Sequence, residues 1–142
     1  MKREYPKQPV VGVGLLIKGN NKIVLVKRDR DPARRLWSIP GGLLELGEKI
    51  CDGANREAME ETGLEVEIES LLDVGDSITY NENGKIRFHY VLVNFLGHPI
   101  GGNLKPATDV SEACWVSLDE VSKFSIIKTL KRLLAKISYT YI

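Results

Sequence analysis

Three glutamates, Glu57, Glu60 and Glu61, crowd the end of one short stretch, with Arg56 beside them. In a helix, at about 100° per residue, these four side chains share an arc of roughly 140°, and Cys51, Ala54 and Ala58 fall opposite it. Glu57 and Glu61 are then like charges one turn apart, near a helix C-terminus whose dipole disfavours anions, each effect costing about a few tenths of a kcal/mol. No lysine stands four residues on, and Arg56 can pair with only part of the set. The chemistry such a group suits is capture of a hard divalent ion through oxygen, since Mg²⁺ takes one or two carboxylates, several waters and substrate phosphates. A solvated charged helix is the plain alternative for three glutamates taken alone.

The order of residues adds a second signal. From Gly42 the chain reads Gly, five residues, Glu48, seven residues, then Arg56-Glu57-Ala58-Met59-Glu60-Glu61-Thr62-Gly63-Leu64. This run resembles the Nudix box, G-x5-E-x7-R-E-U-x-E-E-x-G-U with U aliphatic. Ala58 is the one departure, small where the pattern usually has a larger aliphatic residue. The resemblance implies a Nudix hydrolase, with Glu57, Glu60 and Glu61 as magnesium ligands (manganese being an alternative) and Glu48 and Arg56 bracing the loop against the helix. In that family the carbonyl just before the box completes the metal's coordination, and this position falls on Gly41. An acidic residue in a later loop can act there as base or outer metal ligand, and either Glu112 or Asp109 fits it. Glu57 is a further choice for the base.

These residues need elements to hold them. The helix should run over residues 49–62 and stop at Gly63, placed for a left-handed cap, with Cys51, Ala54 and Ala58 packing closely on a sheet. Residues 10–17 and 23–26 flank Gly19-Asn20-Asn21 and read as a hairpin apolar enough to be central. A charged loop over residues 28–35 follows, in which one or two arginines are candidates to meet phosphate or ribose, with a solvated loop as the alternative. Gly41 and Gly42 supply backbone freedom beside a ligand, and Trp37 reads as core in preference to a base-stacking platform. Residues 64–73 form a strand. Residues 78–80 and 86–96 flank Asn83-Gly84 as a second hairpin, with His89 as an ordinary strand histidine. Residues 97–110 read as a long loop, and 111–116 return to a strand. Ser117-Leu118-Asp119-Glu120 is a capping box for a closing amphipathic helix that carries Ile126, Ile127, Leu130, Leu133, Leu134 and Ile137.

With 142 residues, 43% hydrophobic and 27% charged, the chain fits one α+β domain over residues 1–142. The resemblance sharpens that to an α/β/α sandwich around a mixed β-sheet. A net charge of +1 argues against a broad nucleic-acid surface, and a basic stripe with aromatics for RNA is not seen. The apolar run at residues 10–17 is too short to span a bilayer and is followed by no cleavage signal, so a cytoplasmic protein with no membrane partner is expected. Cys51 and Cys114 make no disulfide framework and read as reduced core residues. A homodimer stays open.

The activity implied by the resemblance is hydrolysis of a pyrophosphate bond in a nucleoside diphosphate linked to another group. ADP-ribose or a related nucleotide sugar is the first choice, by analogy with compact ADP-ribose pyrophosphatases. A nucleoside triphosphate pyrophosphohydrolase that removes damaged nucleotides is the alternative within the family. A catalytically silent nucleotide-binding sensor is the alternative of another class, and its signature, a lost metal glutamate, is absent.

Overall fold

The computed structural model describes residues 3–105 and 110–140. In order the elements are β1 (Val10–Gly19), β2 (Lys22–Arg28), β3 (Trp37–Ser38), β4 (Gly41–Leu43), α1 (Ile50–Thr62), β5 (Leu64–Tyr80), β6 (Ile86–Gly102), β7 (Val110–Ser117) and α2 (Lys128–Thr140), with a single 3₁₀ turn at Val121–Lys123. The sheet runs β3-β2-β1-β6-β5, with β4 also paired to β1 and β7 to β2. β1 and β6 are parallel and the remaining pairs antiparallel, so the sheet is mixed.

Period two along β1 decides what lies on each face. Val13, Leu15 and Ile17 pack on one side with Val24, Val26, Val93 and Phe95, where Ala54 and Ala58 of α1 meet them. Leu16 points the other way, into Ile23, Leu25 and Leu96, which Leu130, Leu133 and Ile137 of α2 cover. Helices on both faces make the α/β/α sandwich that the family resemblance implies. The first hairpin turns on Asn20 and Asn21, at φ 50° and 63°, a left-handed pair of the kind asparagine tolerates. No helix among the described residues is long and apolar enough to cross a membrane.

Four local expectations are corrected. Cys51 is exposed, because α1 begins only at Ile50 and its first turn precedes the part that lies on the sheet, while Cys114 is half-buried. The strands expected at residues 64–73 and 78–80 are one strand of 17 residues, kept continuous by register shifts that absorb the broken alternation. The stretch read as a long loop from residue 97 continues β6 to Gly102, because residues 97–102 pair with the start of β5, and backbone pairing outweighs the glycines and proline. The capping box at residues 117–120 opens no α-helix. Residues 125–127 instead bond Trp37, through Trp37 N–H to the Ser125 carbonyl at 2.8 Å and Ile127 N–H to the Trp37 carbonyl at 3.1 Å, which delays α2 to Lys128. Trp37 itself meets Phe124 edge-on at 5.1 Å in the α2-side core, in keeping with a packing role.

Candidate active site

Arg56 is the hub of the helix-loop junction. Its Nε donates to Glu48 Oε2 at 2.7 Å and one terminal nitrogen to Glu48 Oε1 at 3.0 Å, a bidentate pair. That nitrogen also donates to the Leu43 carbonyl at 3.0 Å, and the other reaches Glu57 at 2.8 Å and Glu60 at 3.3 Å. Glu48 accepts in addition from the Glu45 backbone N–H at 3.1 Å. The Arg56 bond, with the Glu45 N–H behind it, holds the Glu48 carboxyl down at about 2. A side chain at Gly53 would fall 2.9 Å from Glu48 Oε1, so the helix carries glycine where the loop's carboxylate lies against it.

Glu61 sits differently. It is 5% exposed, and its Oε1 accepts the Gly41 backbone N–H at 3.1 Å. The sequence puts it on the arc opposite Cys51, Ala54 and Ala58, and it is buried there because the end of α1 is pressed against β4. Burial, and then the charge of Glu57, push the Glu61 carboxyl up to about 8 against the counteracting Gly41 bond. Glu57 lies over Gly42, where a methyl group would stand 2.5 Å from its Oε1. The two glycines therefore admit the two carboxylates, one by its N–H and one by its missing side chain.

Among the described residues, no three His, Cys, Asp or Glu side chains are already gathered into a cage for one ion. The reason is visible in the bonds: Arg56 holds Glu57 and Glu60, and the Gly41 N–H holds Glu61. The donor set nevertheless fits a hard divalent ion. Every donor is oxygen, and Glu61 is buried and apposed to Glu57, the two conditions, burial first, that hold its proton in place of a cation.

Both carboxylates line a cavity of about 460 Å³ on the α2 side of the sheet. Its floor includes Gly12, Gly14, Tyr90, Leu92 and Asn94; Ser77 and Thr79 of β5 edge it, and Ile127, Lys128 and Thr129 form a wall. Arg28 and Arg30 of the charged loop line it, as does Arg3. Curling of that loop aims Arg28 inward: the Arg35 N–H bonds the Arg28 carbonyl at 2.8 Å, and Arg28 Nε donates to the Pro32 carbonyl at 2.9 Å. Desolvation pulls the Arg28 guanidinium below its ordinary value, opposed by Tyr90 and Glu61.

Gly41, Glu57 and Glu61 thus meet at the cavity, with Glu60, Arg56 and Glu48 linked to them through Arg56. Glu112 stands apart: on β7 it faces Lys27 of β2 and pairs with it at 3.4 Å, with its side chain 59% exposed. Asp109 lies outside the described residues. His89 is a half-buried residue of β6. Sequence reasoning passed over Asn94, Tyr90, Ser77 and Thr79, which alternate with core residues on long strands and carry no motif. A buried asparagine in an apolar strand was the one signal available.

A mixed sheet between two helices, with a carboxylate-bearing helix end facing a cationic cavity, defines the Nudix class of hydrolases acting on pyrophosphate bonds. The NUDIX domain model matches residues 6–137, and the chain belongs to that family. It is 36% identical over 117 residues to an ADP-ribose pyrophosphatase of Methanocaldococcus jannaschii, covering 82% of this chain and 67% of that one. It is 30% identical to human 8-oxo-dGDP phosphatase NUDT18, covering 74% of this chain but 31% of that longer protein. The crystal structure of a MutT NUDIX hydrolase from Burkholderia pseudomallei superposes with a TM-score of 0.81 at 29% identity, covering 92% of this chain and 99% of the other.

Proposed function

We propose that the enzyme hydrolyses the pyrophosphate bond of a nucleoside diphosphate joined to a further group, with ADP-ribose or a related nucleotide sugar as substrate and magnesium as cofactor. The observation that carries this reading is the pair Glu57 and Glu61, held against Gly41 and Gly42 at a cavity that Arg28 and Arg30 also line. Anionic catalysis and cationic binding groups share one space. The similarity to an ADP-ribose pyrophosphatase over most of the chain supports the choice of substrate.

Nudix hydrolases generally use divalent metal ions. Magnesium held by the Gly41 carbonyl, Glu57, Glu60 and Glu61 would supply neutralisation of phosphate charge and activation of water. The chain's own residues do the rest. Arg28 and Arg30 receive phosphate or ribose oxygens, and the guanidinium fork suits bidentate contact. Arg56 positions Glu57 and Glu60 and is itself fixed by Glu48 and the Leu43 carbonyl. Glu57 lines the cavity and is placed to take a proton from the attacking water, in preference to the exposed, lysine-paired Glu112. Leu36, Ile39 and Leu43 exclude bulk water along the apolar wall.

A substrate panel in Mg²⁺ with product analysis tests the proposal. ADP-ribose should give AMP and ribose phosphate. Release of pyrophosphate from nucleoside triphosphates as the dominant reaction would overturn it in favour of nucleotide sanitation.

A further inference from the structure

We propose that Asn94 selects the nucleobase, presenting its amide oxygen to the cavity as a fixed acceptor that receives an exocyclic amine and rejects a carbonyl at the same position. The inference rests on the nucleotide reading above and adds which bases the cavity takes.

The orientation of Asn94 follows from its partner. Its Nδ2 lies 3.1 Å from Asp73 Oδ1, and both residues are buried. An ionised carboxylate only accepts, so the amide must give it the NH₂ group, and the oxygen is forced to the other side. Burial works against the charge on Asp73, but bonds from Arg132 and Asn94 outweigh it and hold the carboxyl below its ordinary value. Arg132 of α2 donates to Asp73 Oδ2 at 2.6 Å, and Lys136 stands 3.7 Å away. Room for Arg132 comes from Gly75, where a methyl group would fall 2.5 Å from the guanidinium. A helix, a strand and a glycine therefore converge on fixing one amide.

The oxygen so released points over Gly14. A side chain at Gly14 would collide with Asn94 Oδ1, and Gly14 and Asn94 both line the cavity. Gly41, Gly14, Asn94 and Asp73 form one row across the sheet. Asn94 is thus two strand spacings, about 10 Å, from the backbone that meets Glu61. What reaches it is the part of the substrate beyond the phosphates. Leu92 beside it gives an apolar surface for a ring, and Gly12 leaves that surface flat. A fixed acceptor facing a base carbonyl would leave two acceptors apposed without a proton, the situation in which a polar site discriminates most strongly.

The test is calorimetric titration of the full chain, in Mg²⁺, with AMP against IMP and CMP against UMP. Each pair differs by an amine-to-carbonyl exchange with the accompanying proton on the adjacent ring nitrogen, and none has a pyrophosphate bond to cleave. The amine-bearing member should bind at least tenfold more tightly in each pair, and Asn94→Leu should bring both ratios within about twofold while the melting temperature shows a folded protein. Asn94→Ser serves as the second variant should the leucine disturb the core. Asp73→Asn supplies a neutral partner able to donate, so the Asn94 amide can turn over, and the preference should shrink or reverse. Equal affinities in the wild type, or a preference that survives in a folded Asn94 variant, overturns the proposal. Hydrolysis of ADP-ribose is measured separately: its absence with base preference intact refutes the reaction proposed above and leaves Asn94 standing.

Discussion

Glu61 is a carboxylate that the fold keeps almost out of water, touching the Gly41 N–H and facing Glu57. Its pKa, pushed from an ordinary 4.5 to about 8, turns that position into a measurable pH dependence. Because the folded state holds the proton more tightly than the unfolded chain, the stabilisation is complete below about 4.5 and disappears as pH rises through about 8. In chelator, the wild type should therefore lose stability across that window. Glu61→Gln keeps an acceptor for Gly41 without the charge, so its stability should match the wild type near pH 5 and exceed it near pH 9. Thermal unfolding of both proteins across pH is the measurement. Turnover in Mg²⁺ should nevertheless fall by about 10² to 10⁴ in the same variant, as when other transition-state electrostatic groups are removed. A variant that melts lower and hydrolyses normally would mark Glu61 as a packing residue.

At the scale of elements, the two glycines of β4 make different demands on the chain. A methyl at Gly41 would stand 2.5 Å from the Val13 carbonyl and 3.0 Å from the Gly14 Cα, backbone that cannot move without breaking the β1–β4 pairing. The nearest atoms to a methyl at Gly42 are those of the Glu57 carboxylate, a side-chain end that Arg56 holds but that can shift without moving backbone. Gly41→Ala should thus cost about 1 to 3 kcal/mol, as overpacking does. Gly42→Ala should leave the melting temperature nearly unchanged but move Glu57 and cut kcat at least about tenfold. Equal losses of stability in the two would refute the distinction. The spacing around these glycines was legible because the proposed catalytic residues lie within one helix and its entering loop, where local geometry decides placement. The capping box at residues 117–120 misled for the opposite reason: Trp37, eighty residues earlier in the chain, pairs with residues 125–127 and moves the helix start. Asn94 and Arg132 stayed invisible alone, because their meaning comes from Asp73, which tertiary pairing brings between them.

The whole molecule gathers anionic and cationic groups around one cavity, and its net charge of +1 hides both. A bound divalent cation would complete that balance of charge. Without a cation, the charge of Glu57 repels the phosphates that Arg28 and Arg30 attract, so chelation should abolish turnover while leaving the fold, whose two cores are built from apolar side chains, intact. Full turnover in excess chelator would sink the mechanism. Restoring Mg²⁺ should recover activity, and Mn²⁺ should serve as well, since both accept octahedral oxygen coordination. The same geometry bears on substrate choice. The cavity of about 460 Å³ is lined by the carboxylates and Asn94 together with the apolar side chains of Ile39, Leu43 and Leu92. Such a space suits a substrate whose charge is concentrated at a diphosphate and whose remainder is neutral, in contrast to a triphosphate, whose extra anion must lie beside Glu57 and Glu61. ADP-ribose should therefore exceed any common nucleoside triphosphate in kcat/KM by at least about tenfold, or about 1.4 kcal/mol of transition-state stabilisation. Steady-state kinetics on both substrate types in Mg²⁺ decide it, and a lead for dGTP or its oxidised form would show that the cavity favours the triphosphate after all.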